Sequence, residues 1–251
     1  MSCDTRLDAC WRPSPNIEPR RGGLKADMLL LHYTAMTSGP KAVDWLCHPD
    51  AGVSCHYLVD EDGTITQMVH ESERAWHAGV SSWHGETDIN SCSIGIEIQN
   101  LGHALDILPE YPEIQMEAVK SLCLDIIQRH NIPARRVLGH SDVAFGRKVD
   151  PGEAFSWEEL YRSGIGHWVE PAVIQGDPGL DLGCCGDEVE ELQTLLRNYG
   201  YGIEISREYD QCTKSAVSAF QAHWRQKSVN GVADLSTVQT LEKLSVNTED
   251  N

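Results

Sequence analysis

The sequence predicts an α/β domain, a mixed central sheet flanked by helices, followed by a small three-helix domain. Two observations carry this. Through the first two-thirds of the chain, short apolar runs of strand length alternate with helical spacing. Beyond Gly183, Cys184, Cys185 and Gly186, apolar residues recur at helical spacing alone. The boundaries that follow are 1–24 for an irregular lead-in rich in Pro, Arg and Gly, 25–168 for the α/β domain, 169–186 for a linker and 187–245 for the helices.

Met28, Leu29, Leu30 and Leu31 read as a strand buried on both faces, with His32 directly after it. Residues 53–69 read as a hairpin. Its arms are His56–Val59 and Thr64–Val69, turned at Glu61, Asp62 and Gly63. In Ser93–Asn100 the alternation puts Ile94, Ile96 and Ile98 on one face, Glu97 and Gln99 on the other. Glu113–Asn131 is a helix on the spacing of Val119, Leu122, Cys123, Ile126 and Ile127, ended by Asn131 and Pro133. Val137 and Leu138 read as a short strand delivering His140 to a loop. In the C-terminal third, Val189, Leu192, Leu195 and Leu196 line one helix. Ala216, Val217, Phe220 and Trp224 line a second, with Thr213 as its cap, and Leu235, Val238, Leu241 and Leu244 a third. The tail after Ser245 reads as frayed.

With 38 acidic against 20 basic side chains, the 251-residue chain carries a formal charge of −18. That argues against nucleic acid and anionic lipid surfaces as partners, since both draw on clustered Lys and Arg. The longest obvious apolar run, Met28–Leu31, is far short of the roughly 18 residues a membrane span needs. The N-terminal residues contain acids and no apolar block, so they do not read as a secretory signal. Nine cysteines, an odd number without CxxC spacing, read as free thiols in a reducing compartment. A cytoplasmic monomer is the expectation, with a periplasmic or wall-associated location as the alternative.

Eleven histidines are present, and two stand apart by position. His32 and His140 each follow an apolar strand, where a side chain leaves the sheet edge for a cleft. Two imidazoles and one carboxylate match a catalytic zinc site that keeps its fourth position open. On spacing alone this is a weak signal.

Five segments sharpen it: Leu30–Thr34, Val53–Asp60, Arg74–Gly79, Ser93–Asn100, and Gly139–Asp142 continuing through Lys148–Gly152. In that order, over roughly residues 25–168, they resemble the zinc-dependent N-acetylmuramoyl-L-alanine amidases that share a fold with the peptidoglycan recognition proteins. The C-terminal third resembles a helical peptidoglycan-binding domain, through Val189, Leu192, Gln193, Leu196, Gly200, Tyr201, Asp210, Thr213, Ala216, Val217, Phe220, Gln221, Gly231 and Asp234.

The resemblance implies Zn2+ as cofactor, with His32, His140 and Asp150 as ligands. It implies Glu97 as catalytic carboxylate and Lys148 as a further catalytic group. Peptidoglycan or soluble anhydro-muropeptides would be the partner. Zinc would polarise the amide carbonyl and activate water, Glu97 would shuttle the proton, and Lys148 would stabilise the oxyanion. Trp76, His77, Arg74, His56 and Asn100 are the expected substrate-binding residues. Each assignment has a plainer alternative: Glu97 as a polar residue on a wet strand face, Lys148 as a solvated charge, Trp76 as a core side chain. Where phage and many animal relatives carry a tyrosine, this chain has Cys55, so chemistry would depend on Glu97. A non-catalytic muropeptide recognition protein is the rival reading.

Overall fold

The computed structural model describes residues 2–104 and 109–246. In chain order the elements are β1 (Cys10–Trp11), β2 (Ile17–Pro19), β3 (Met28–Tyr33), α1 (Gly39–Leu46), β4 (Tyr57–Val59), β5 (Ile65–Gln67), β6 (Glu73–Ala75), α2 (Ile89–Cys92), β7 (Ser93–Ile98), α3 (Glu113–His130), β8 (Val137–Gly139), α4 (His140–Val143), α5 (Trp157–Arg162), α6 (Asp187–Tyr199), α7 (Gln211–Trp224) and α8 (Leu235–Val246). The main sheet has the order β1-β5-β4-β7-β3-β8. All its pairs are parallel except the β4–β5 hairpin. This is the mixed α/β architecture expected.

Strand β3 lies between β7 and β8, and Met28 to Leu31 are completely buried. Ile94, Ile96 and Ile98 of β7 are equally buried on one face, as their alternation requires. Helix α3 covers the sheet and stops where Asn131 takes a left-handed conformation, φ 53°.

The lead-in 1–24 is not irregular. Strand β1 extends the sheet edge beside β5, and β2 pairs antiparallel with β6. The Asp4 carboxylate accepts from Glu71 N–H at 2.9 Å, and Thr5 donates to Asp125 at 2.8 Å. Strands of two and three residues carry no readable period, so only these partners reveal them.

Two other expectations are corrected. His140 does not sit in a loop but opens the short helix α4. Asp210, not Thr213, caps α7, accepting the Thr213 N–H at 2.8 Å. Thr213 is instead buried, its hydroxyl engaged by Asp210 and Gln193. Most of the tail expected to fray, 247–251, lies outside the described residues.

The helical third is not a separate bead. The segment expected as linker joins it through bridges from Leu180 to Ala233 and Cys185 to Glu208. Trp83 bridges to Tyr201, His84 N–H donates to Gly200 O at 2.8 Å, and one continuous apolar core runs from Leu29 to Leu244. About 60 residues of helix make a marginal core alone; shared burial removes that weakness. Among the described residues no helix is long and apolar enough to cross a membrane.

Candidate active site

The parallel strands β3, β7 and β8 end at one edge of the sheet, where α/β folds place ligands. His32 lies near the end of β3, in register with Glu97 on β7. The residue after β8 is His140, and Asp150 returns to the same point, with Asp150 O accepting the Ser141 N–H at 2.9 Å. His32 Nδ1, His140 Nδ1 and Asp150 Oδ2 converge. The separations are 2.9 Å between the two nitrogens, 3.1 Å from His32 to Asp150 and 3.0 Å from His140 to Asp150. All three residues are buried.

The outer hydrogen bonds fix which nitrogens carry protons. His140 Nε2 lies 2.9 Å from the Ala78 carbonyl, which can only accept, so the neutral ring carries its proton on Nε2 and leaves Nδ1 as a bare lone pair. On His32 the inference takes one more step. Ser93 Oγ donates its hydrogen to Ile89 O at 2.6 Å, leaving it to accept from His77 Nε2 at 3.3 Å. His77 Nδ1 is then an acceptor, and His32 Nε2 donates to it at 3.0 Å. That leaves His32 Nδ1 bare as well. Burial, with His140 second, lowers the His32 imidazole to about 4, so it stays neutral.

With both rings neutral, three buried acceptors face one another within about 3 Å, an arrangement that is repulsive unless a cation lies between. Tetrahedral zinc, with ligand bonds near 2.0–2.1 Å, needs donors about 3.3 Å apart. The donor set fits such an ion with a slight outward adjustment.

A cavity of about 260 Å³ opens over this point, and Glu97, Lys148, Trp76 and His77 line it. Glu97 Oε2 is shut off from water and has no hydrogen-bond partner among the described residues. Burial, reinforced by Asp150 and opposed by Lys148, pushes its carboxyl well above the usual range. Lys148 is exposed at the rim. The Trp76 indole N–H is likewise buried and unpartnered among the described residues. His77 reaches His32 only because position 95 is glycine: a Cβ there would lie 2.6 Å from His77 Nδ1.

Three expected substrate contacts lie elsewhere. Arg74 is bound by Asp88 at 2.8 Å and Glu18 at 3.0 Å, which satisfy its charge away from this cavity. His56 is wholly buried behind β7, with Nδ1 accepting the Gly95 N–H at 3.0 Å. Asn100 holds its own loop, donating to Pro109 O at 3.0 Å and accepting from Gly102 N–H at 2.8 Å. Cys55 is buried too, and burial drives its thiol well above the ordinary value, the opposite of an activated nucleophile. Sequence reasoning missed the far wall, where Met36 and Trp45 line the cavity. Trp45, on α1, is half exposed there, and the only sequence signal was an aromatic on an unrecognised helix.

A parallel-centred sheet whose strand ends bring two imidazoles, a carboxylate and a second carboxyl to one cavity is the frame of a hydrolase site with a group that could hold a metal ion. Residues 22–153 match the N-acetylmuramoyl-L-alanine amidase family and residues 185–241 a peptidoglycan binding domain. The chain belongs to the N-acetylmuramoyl-L-alanine amidase family. It is 33% identical over 228 residues to the amidase AmiD of Escherichia coli, covering 86% of this chain and 81% of that one. It is also 33% identical over 172 residues to the 1,6-anhydro-N-acetylmuramyl-L-alanine amidase AmpD of Enterobacter cloacae, covering 62% of this chain and 89% of the relative. The solved complex of E. coli AmiD with the substrate anhydro-N-acetylmuramic acid-L-Ala-D-γ-Glu-L-Lys matches with a TM-score of 0.78 at 31% identity, over 93% of this chain and 94% of the other.

Proposed function

We propose that this chain hydrolyses the amide joining anhydro-N-acetylmuramic acid to the L-alanine of a peptidoglycan stem peptide, with zinc held by His32, His140 and Asp150. The observation that carries the proposal is the proton accounting above: three buried acceptors aimed at one point beside a cavity. The anhydro form is supported by the AmiD complex and by the substrate in the AmpD name.

Zinc, when bound, supplies Lewis acidity toward a carbonyl and acidifies water. The protein's part begins with orientation: His77 and the Ala78 carbonyl hold the two imidazoles in the tautomer that exposes Nδ1. Glu97, raised and unpartnered, is suited to take the proton of the attacking water and deliver it to the departing nitrogen. The C–O bond forms first as the carbonyl π pair moves onto oxygen; the C–N bond then breaks as that pair returns, and the proton taken from water leaves on the amine. Lys148 at the rim donates to the oxygen that gains charge. Trp76 lines the cavity the substrate would enter. The nine cysteines are all unpaired, which supports a cytoplasmic home.

Mass spectrometry of products from soluble anhydro-muropeptides and from purified sacculi, with and without a chelator, tests this reading. Chelator-sensitive release of intact stem peptide is expected, faster from the anhydro-muropeptide. No release from either substrate by zinc-loaded protein would refute it.

A further inference from the structure

The carboxylate of Asp142, two residues beyond His140, has no exposure to water at all. Its Oδ2 accepts the Gly139 N–H at 2.8 Å, tying it to the residue that precedes His140. Its other two partners come from the helical third of the chain. Tyr201 O–H donates to Oδ1 at 2.9 Å, and His223 Nδ1 donates to Oδ2 at 2.7 Å. His223 has no freedom to swing. Its ring is stacked between Trp157 at 3.6 Å and Trp224 at 3.5 Å, nearly parallel to both.

We infer that Tyr201 and His223 are positioning residues for the catalytic centre, acting through Asp142 to hold α4 and thereby His140. This inference rests on reading His140 as a metal ligand. It makes the helical module a structural part of the active site in addition to any part it takes in binding the cell wall. The physical argument is the cost of a buried charge. A carboxylate excluded from water is tolerated only while its lone pairs are filled, and stripping a donor leaves a charge that water cannot reach to compensate. The nearest relief is for the start of α4 to turn toward water. Because the Asp142 carboxylate also holds Gly139 N–H, that movement passes to His140. It passes to Asp150 as well, since the Ser141 N–H is bonded to the Asp150 carbonyl. A donor set with separations near 3 Å tolerates little displacement, and loss of an outer partner typically weakens metal binding 10–100-fold. A module fastened only by a linker would make none of these contacts.

The test uses the full chain with three substitutions. Tyr201→Phe deletes one O–H, His223→Ala deletes the imidazole, and His223→Asn returns an amide N–H close to Nδ1. Zinc affinity is read by competition with a chromophoric chelator, the geometry of the site by the visible spectrum of the Co2+-loaded protein. Both are set beside kcat, KM and the urea midpoint. Tyr201→Phe and His223→Ala are expected to bind zinc 10–100-fold more weakly, shift the Co2+ spectrum and lower kcat with KM little changed. His223→Asn should recover most of the affinity and the spectrum. Folded Tyr201→Phe protein with wild-type zinc affinity and Co2+ spectrum, differing only in urea midpoint, would overturn the inference. His140→Ala in the same assay separates the two levels. If it binds zinc normally, the ligand reading itself fails; if it loses zinc while Tyr201→Phe does not, only the positioning role fails.

Discussion

His140 and Asp142 stand two residues apart on α4, yet the buried clusters they belong to are opposites. Around Asp142 every acceptor lone pair in use meets a donor: a backbone N–H, a tyrosine O–H and an imidazole N–H. Around His140 three acceptors meet and no donor is left, because Ala78 and His77 have drawn the protons to the far side of each ring. Burial and charge are alike in both places. Balance is the difference, and it separates a cluster that is complete in itself from one that calls for a cation.

The sharpest way to break that comparison is to remove an acceptor from the open cluster. His140→Ala should abolish zinc retention and take turnover to background, checked by metal analysis of the dialysed protein beside the product assay. Glu97→Gln keeps the cavity's shape but not the proton shuttle. Zinc content should stay at wild type while turnover falls on the order of 10²–10⁴-fold, and undiminished activity would remove Glu97 from the chemistry.

Gly95→Ala probes the proton accounting without touching a ligand. The new methyl would meet His77 Nδ1 at 2.6 Å and Cys55 Sγ at 2.8 Å, and one of them must move. Loss of the His77 acceptor frees the His32 tautomer, so zinc affinity should drop roughly tenfold or more, measured by chelator competition. Arg74→Met attacks a closed cluster instead. Asp88 and Glu18 lose their shared partner, and stability should fall by about 1–3 kcal/mol with KM for muropeptide unchanged. A raised KM would return Arg74 to the substrate site.

Two members of the open cluster announce themselves locally in the sequence, whereas Asp150 is implied only by the resemblance. His32 and His140 directly extend apolar runs, and Glu97 sits at the polar phase of an alternating strand. Closed clusters are not local. Arg74 shows its charge in the sequence, but its partner Glu18 is 56 residues away on a three-residue strand. Tyr201 and His223 lie 59 and 81 residues from Asp142. Nothing in the sequence of the helical third marks either as a partner across the module boundary. The fold divides the same way. Strand β3 shows as an unbroken apolar run, and β7 and α3 carry a period of their own, whereas β1, β2 and the seating of the helices on the sheet exist only as pairings.

A second closed cluster supplies a test read along the acid limb, with no effect on the metal site. Glu71 is buried, and it accepts from Tyr57 O–H at 2.7 Å and His130 Nε2 at 2.7 Å, with Arg129 bonded to both carboxylate oxygens. Burial opposes its ionisation, but His130, Arg129 and Tyr57 together prevail and lower it from 4.5 to about 2. A carboxylate depressed on folding stabilises the protein fully above its unfolded value. That contribution is lost as pH falls through the folded one. The window is therefore from about 4.5 down to about 2, and the loss across it is about 3 kcal/mol. Urea midpoints measured from pH 6 to pH 2.5 should fall along that window in the wild type and less steeply in Glu71→Gln. At neutral pH that variant should be the less stable of the two, with zinc affinity intact, because the charge it removes belongs to a cluster already complete without a metal. Equal acid slopes in the two proteins would show that the Glu71 cluster is not held as tightly as its four hydrogen bonds require.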